Sequence, residues 1–357
     1  MKKEDITLVT GVDIGDQYSE ICLLDAEGEV VEMTRIRTNQ KGIQLYFDGR
    51  NKMKVALEVG THSPWVSRLI ASMGHEVLVA NSYKLRMIYA NDRKSDRVDA
   101  QTLARVARMD PELLFPIKHR GEGSQTALAV VRARDILVKV RAKLVNHVRG
   151  AVKSFGHRLP VCSTESFHKH SDKIPDELKP ALMQVMQEIE RLTLAIKNDD
   201  RQIERICQEK YPEALALQQV NGVGPVTSLA YVLTLEDPSR FKSCRDVGAY
   251  LGLVPRRDQT GENERQLGIS KRGDPYLRSL LVGCAHYILG PFGPDTDLRR
   301  WGLKLAERGG KNGKQRALVA VARKLSVLLY RLWKSGELYE PLRQGGKAMS
   351  RRVTVSS

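Results

Sequence analysis

Leu182, Val185, Ile189, Leu192, Ile196, Asp199, Ile203 and Ile206 recur at steps of three and four. Only an α-helix brings positions so spaced onto one face, so this stretch has to be a long helix whose apolar stripe needs a partner along its length. The repeat extends over several heptads and supports a coiled-coil hairpin or a dimer arm. Asp199, its one polar member, either fixes register or lies where the stripe meets solvent. An earlier segment also has helical spacing. Leu137, Val140, Leu144, Val148, Ala151 and Phe155 make its apolar face, while Arg132, Arg134, Lys139, Arg141, Lys143 and Arg149 decorate the rest. That arginine-rich side is either a grip for structured RNA or the outer face of a bundle. The break IPDELKP separates the two helices.

Upstream the pattern changes to strands. ITLVTGVD, Ile6 to Asp13, is a β-rich apolar run bounded by Gly15, and Cys22 to Asp25 and Glu29 to Ile36 flank a turn at Gly28. Met53 to Glu58 and Glu76 to Ala80 add strands. Helices are expected from Pro64 to Met73 and from near Asp96. Strands first and helices interleaved later indicate an α/β domain. The expected division is 1–118 for that domain, 119–214 for a helical arm, 215–345 for a mainly α-helical C-terminal domain, and 346–357 for a basic tail. In the third segment Gly222, Gly224 and Pro225 form a tight turn before a helix near Thr227, and a last helix runs from Ala317 to Trp333. The free N–H groups of the helix after that turn can hold a phosphate, or the turn serves only helix packing.

Charge narrows the partners. There are 58 Lys and Arg against 42 Asp and Glu, a formal net charge of +16, which favours a polyanion. Anionic lipid is the weaker choice because no segment has the roughly 20 uninterrupted apolar residues of a membrane helix. The start MKKEDITLVTGVDIG lacks the features of a secretory signal, which makes the cytoplasm the expected location. Cys22, Cys162, Cys207, Cys244 and Cys284 are scattered without CxxC spacing and read as reduced, packed thiols.

Within this basic chain four carboxylates stand out. Asp13 and Glu58 each end an apolar strand, and Asp96 and Asp99 in KSDRVDA share a helix face. Hard oxygen ligands in this combination suit Mg2+ or Mn2+ aimed at a phosphodiester. The structural alternatives are that Asp13 caps a turn, that Glu58 pairs with Arg68 or His62, and that Asp96 caps the helix carrying Asp99. Asp16, Asp25 and Asp92 are less well placed and are set outside the ligand group.

The motifs GVDIG, LEVG and KSDRVDA, with NGVGPVTS, YLGLVPRRDQTG, LGISKRGDPYLRSLLVGCAHYILGPFG and WGLKLAERGGKNGKQRALVAVARKL, resemble the DEDD transposases of bacterial insertion sequences over nearly the full length. The resemblance implies an RNase H-like (resolvase-like) N-terminal domain in which Asp13, Glu58, Asp96 and Asp99 bind magnesium. It also implies a C-terminal transposase domain whose serine attacks DNA to form a covalent 5′-phosphoserine. The resemblance implies further that strand exchange passes through a Holliday junction and that a structured noncoding guide (bridge) RNA pairs with donor and target double-stranded DNA. The active site is composite between protomers, so a homo-oligomer, a dimer or a tetramer on DNA, is expected. Where relatives carry that serine, this chain has Thr260 before Gly261. Threonine retains a hydroxyl, but its β-methyl restricts rotation and crowds an in-line approach. Ser270 and Ser279 are the alternatives.

Lys94, beside the acidic helix, and Arg256, Arg257, Arg265, Lys271 and Arg272, around Thr260, are expected to contact nucleic acid. Lys311, Lys314 and Arg316 form a second basic group containing GGKNGK, which lacks the P-loop spacing. Tyr83, Arg86 and Tyr89 are candidates for nucleotide stacking or backbone contact. Two other readings stay open: a metal-dependent structure-specific nuclease using water as attacker, and a non-catalytic nucleic-acid scaffold.

Overall fold

The computed structural model describes residues 8–85, 95–260, 263–310 and 312–343, without the side chains of residues 82–83, 257–260 and 263–266. Lys94, Lys311, Arg86, Tyr89, Asp92 and the basic tail lie outside the described residues. The chain divides into two compact units, Met1–Gly121 and Glu122–Ser357.

In the first unit β1 (Val9–Ile14), β2 (Tyr18–Leu24) and β3 (Val30–Arg37) form an antiparallel meander. A helix that the sequence reading did not anticipate follows, α1 (Gln40–Phe47), capped by Asn39, whose side chain accepts from the Gly42 amide at 2.8 Å. Then come β4 (Lys54–Glu58), α2 (Ser63–Ser72), β5 (Glu76–Ala80), the short α3 (Ser82–Leu85) and α4 (Asp96–Met109). The sheet order is β3-β2-β1-β4-β5, with β4 and β5 parallel to β1. This mixed five-stranded sheet is compatible with the RNase H-like domain expected from the motifs.

Period-two alternation sorts the strands onto two faces. Val12, Ile21, Leu23, Val55 and Leu57 join Ile43, Phe47, Val66 and Ile70 under α1 and α2. Val9, Ala56 and Ala80 join Leu103, Val106 and Ala107, and Cys22 and Leu24 join Ala100 and Ala104, under α4. Gly11 makes the closest approach: a Cβ there would stand 2.0 Å from the Ala100 carbonyl oxygen and 2.6 Å from the Ala104 nitrogen.

The second unit begins with α5 (Glu122–Ser154), which runs antiparallel to α6 (Lys179–Lys210). Arg134 Nε donates to Asp200 Oδ1 at 2.8 Å, and Arg141 Nη1 donates to Thr193 Oγ1 at 3.2 Å, so positions pair in reverse order. Farther out Val145, Val148 and Val152 pack with Leu182, Met186 and Ile189. The stripe on α6 is therefore buried within the chain: Leu182, Ile189, Leu192, Ile196 and Ile203 are all at most 3% exposed. Asp199 is half-buried, and burial pushes its carboxyl up, with Asp200 adding to the effect and Arg134 opposing it.

On α5 the face is rotated from the one expected. Val140 and Phe155 are exposed, whereas Arg141 is buried beside Thr193. The actual inward positions, Ala127, Leu128, Val131, Arg141, Val145, Val148 and Val152, include a charged residue that hydropathy alone assigns to solvent. The arginine side is also largely committed to internal bonds. Arg132 meets Asp274 at 2.5 Å, and Arg149 donates to the Pro160 carbonyl at 3.1 Å.

The base of this hairpin shares a core with α7 (Pro212–Leu217), α8 (Pro225–Leu235), α9 (Asp246–Tyr250), α10 (Pro275–Leu289), α11 (Asp297–Glu307) and α12 (Gly313–Ser335). Every residue from Thr227 to Leu235 is buried, and Tyr231 OH donates to the Ser326 carbonyl at 2.6 Å, pinning α8 to α12. The Gly222 turn has φ +89°, and a Cβ there would meet the Tyr287 ring at 2.7 Å. Packing against α10 thus accounts for that glycine.

Candidate active site

Parallel register sets Val12 beside Leu57, so the next residues, Asp13 and Glu58, end neighbouring strands side by side. Alternation turns both toward the α4 face, continuing Gly11 and Ala56. Val9 packs with Leu103, Val106 and Ala107, while Gly11 meets Ala100 and Ala104. This reversed order brings the first turn of α4, with Asp96 and Asp99, to the end of the sheet that carries Asp13. Ser95, not Asp96, caps the helix, its Oγ accepting from the Val98 amide at 3.4 Å. Asp96 and Asp99 lie in the first turn, where the helix dipole favours negative charge.

Asp13 and Glu58 line a cleft of about 300 Å³ with Asp16, Thr61, His62 and Ser63. Asp96 and Asp99 do not line it. Among the described residues no three His, Cys, Asp or Glu side chains gather closely enough to hold an ion. The donors are chemically suited to a hard cation, but the two pairs remain apart in this arrangement.

Asp16, set outside the ligand group on sequence, and Glu20 and Ser63, not singled out there, are neighbours of the carboxylates. Asp16 lines the cleft and accepts from His62 Nε2 at 3.2 Å, while Trp65 Nε1 donates to His62 Nδ1 at 3.1 Å, which places the imidazole proton on Nε2. Glu20 stands opposite Asp13 on β2 but is drawn to Arg35 at 3.3 Å. Buried Ser63 bonds His119 Nε2 at 2.8 Å, and desolvation, with Arg68 and Arg120 next in weight, holds the His119 pKa below its ordinary value. The structure thus puts Asp16, three residues after Asp13, in the same cleft as Asp13 and Glu58.

In the second unit the expected nucleophile loop is a hairpin. β6 (Pro255–Thr260) pairs antiparallel with β7 (Asn263–Ile269), Thr260 opposite Asn263 and Asp258 opposite Arg265. Arg257 lies on β6, and Arg256 is exposed at its start. The hairpin is rooted in a tight junction. Gly252 has φ +68°, and a Cβ there would stand 2.0 Å from the Arg272 carbonyl oxygen. Arg278 Nη1 donates to the carbonyls of Leu251 and Arg272 at 3.0 and 3.1 Å. Lys271, at φ 54°, and Arg272 are exposed on this turn. Ser270 Oγ is sealed from solvent without a hydrogen-bond partner among the described residues, and Ser279 is an exposed residue of α10. Lys314 and Arg316 are exposed in the first turn of α12.

Residues 214–296 match the profile described as transposase IS116/IS110/IS902 family, and residues 10–156 match the DEDD transposase profile of the IS110 type. A Yersinia enterocolitica protein, the transposase for insertion sequence element IS1328, is 30% identical over 80% of this chain and 84% of its own length. The chain belongs to the IS110-type DEDD transposase family. The Coxiella burnetii transposase for insertion sequence element IS1111A is 28% identical, covering 93% of this chain and 91% of that protein. A pilin gene-inverting protein of Moraxella bovis is 24% identical over 90% of this chain and 94% of its own. This transposase is thus an enzyme of DNA transposition, and each of its units carries part of a family match. No described helix is long and apolar enough to cross a membrane.

Proposed function

We propose that this transposase cleaves and rejoins donor and target DNA using Mg2+ or Mn2+ held by Asp13, Glu58, Asp96 and Asp99, with the Thr260 hydroxyl as attacking group. The observation that carries the reading is the β1–β4 register, which seats Asp13 beside Glu58 at the sheet end where α4 begins. A bound hard cation would sharpen an attacking oxygen and stabilise a leaving one. Rigid strand ends orient Asp13 and Glu58, and Asp96 and Asp99 on the first turn of α4 would complete the ligand set. The Thr260 oxygen attacks phosphorus and loses its proton to a base. The bond to the 3′ oxygen breaks, that oxygen leaves protonated, and a 5′-phosphothreonine link remains. A 3′-hydroxyl from the other DNA reverses the step, and exchange proceeds through a Holliday junction.

A structured bridge RNA from the same element selects the sites, on the strength of motif resemblance. The arginines of α5 lend it less support than their spacing suggests, because most bond within the chain. The relative named for inverting a gene favours rejoining over simple cutting. Lys94, Arg256, Arg257, Arg265, Lys271, Arg272, Lys311, Lys314 and Arg316 position the nucleic acid. Assembly into dimers, and tetramers on paired DNA, uses faces other than the buried α6 stripe, and the enzyme works on cytoplasmic DNA.

Denaturing electrophoresis of the transposase with labelled element-end DNA, Mg2+ and RNA transcribed from the element tests the mechanism. A covalent adduct is expected with the natural chain and with Thr260→Ser, and none with Thr260→Ala or Asp13→Asn. Cleavage that persists in Thr260→Ala but stops in Asp13→Asn would instead establish a water-using nuclease. Recovery of adduct on mixing Thr260→Ala with Asp13→Asn chains would show that two protomers build one site.

A further inference from the structure

A cleft of about 830 Å³ lies in the second unit at the root of the β6–β7 hairpin, between α11 and α12. Its floor is apolar, with Leu305 and Val319 among the lining residues. Arg316, Arg323 and Lys324 are exposed residues of the lining, and no described lining residue is acidic. Trp301 opens into it and remains 37% exposed, with Lys324 Nζ 4.2 Å from the centre of its ring. Gly302 lets the two helices close beneath: a Cβ there would meet Val321 at 2.5 Å and Leu289 at 2.7 Å. The cleft is therefore walled by well-packed helices.

We infer that this cleft receives an unpaired nucleobase of the DNA, stacked on Trp301, with Arg316, Arg323 and Lys324 taking the flanking phosphates. A nucleobase has flat apolar faces and an attached anion, which matches an apolar floor in a cleft whose charged residues, among those described, are Arg316, Arg323 and Lys324. A fully paired duplex has no free base to insert. A protein knob would fill the floor but bring no phosphate to the basic rim. Lys324 now covers the indole, where desolvation lowers its pKa against the opposing pull of Asp297. A stacking base displaces that ammonium onto phosphate, so one cation–π contact is exchanged for a stack and an ion pair. The inference rests on the family's DNA substrate and needs neither the guide RNA nor Thr260.

The test is fluorescence anisotropy of the full chain, without metal, on a short single-stranded oligodeoxynucleotide and on the blunt duplex of the same sequence. Trp301→Leu should weaken single-strand binding about tenfold, and Trp301→Phe about twofold, while duplex binding stays within about twofold for both. Arg323→Gln should weaken binding to both. Because Trp301→Leu also removes packing, a second measurement uses the natural chain: 5-iodouracil in the single strand should photocrosslink to the peptide containing Trp301. Unchanged single-strand binding, equal loss on both probes, or crosslinks confined to other peptides would overturn the inference. Sedimentation showing that Trp301→Leu dissociates a DNA-free oligomer would assign the cleft to a second copy and overturn it too. Failure of the covalent-adduct experiment would leave these outcomes unaffected.

Discussion

Gly11 on β1 and Ala100 on α4 meet backbone to backbone, with only 2.0 Å available between a Cβ at Gly11 and the Ala100 carbonyl oxygen. Because the contact is to backbone, no side-chain rotation can relieve it. It sets how deeply α4 sits on the sheet, and so where Asp96 and Asp99 stand relative to Asp13.

Gly11→Ala should therefore cost about 1–3 kcal/mol of stability by overpacking, and more if α4 cannot shift. Chemical denaturation measures that cost. DNA cleavage should fall further than the folded fraction does, since the helix bearing two of the carboxylates is pushed outward. Cleavage that merely tracks the folded fraction would sever the link between this contact and the site.

Leu192 is 2% exposed on α6, the helix that packs along α5 of the same chain. Leu192→Glu places an unpaired charge in that interface and should destabilise the second unit by about 3 kcal/mol or more. Light scattering below the unfolding transition should show the same assembled species as the natural chain. Conversion to monomer with the hairpin still helical would mean that the stripe serves another copy.

The Arg134–Asp200 pair joins the same two helices with side chains 23% and 39% exposed. Solvent screening limits such a pair, so a double-mutant cycle with Arg134→Gln and Asp200→Asn should give a coupling of about 0.2–1 kcal/mol. The coupling should shrink as salt is raised.

His119 is held neutral by desolvation and by Arg68 and Arg120, so its folded pKa lies below the ordinary 6.5. As pH falls below that value the unfolded chain binds the proton first. Stability of the first unit should be intact above the ordinary value and decline below it. His119→Gln, which keeps a neutral donor to Ser63, should flatten this part of the pH profile in thermal melts. An unchanged slope would show that other groups carry it.

Gly252 combines φ +68° with a Cβ position 2.0 Å from the Arg272 carbonyl. Gly252→Ala should be among the most damaging single changes in the second unit, at about 2 kcal/mol or more. Proteolysis should then cut the 253–273 segment sooner than in the natural chain.

Much was legible in the residues because it is local. The 3/4 spacing on α6 demands a helix, alternation gives the strands, and Gly15 and Gly28 mark turns in a meander whose sheet then follows. Asp13 and Glu58 at the ends of apolar runs could be singled out because a carboxylate terminating a buried strand is an expense that needs a reason. The β6–β7 hairpin was missed because PRRDQT and NERQLGI carry too few apolar residues for a period-two signal. The face of α5 was misread because Arg141 counts as polar in any pattern, although its aliphatic stem and its bond to Thr193 let it be buried.

By itself the sequence determined most of the helices and strands, though not α1 or the β6–β7 hairpin, and which residues carry the acidic and basic chemistry, since propensity and periodicity act over a few neighbouring residues. Only the tertiary structure decided what those elements pack against. The α6 stripe is satisfied by α5 rather than by a second molecule, the arginines of α5 are spent on Asp274, Asp200, Thr193 and Pro160, and Asp13 gains Glu58 and Asp16 as neighbours. Those pairings depend on register and close approach between residues far apart in the chain, as at Gly11 and Ala100, which no local pattern encodes.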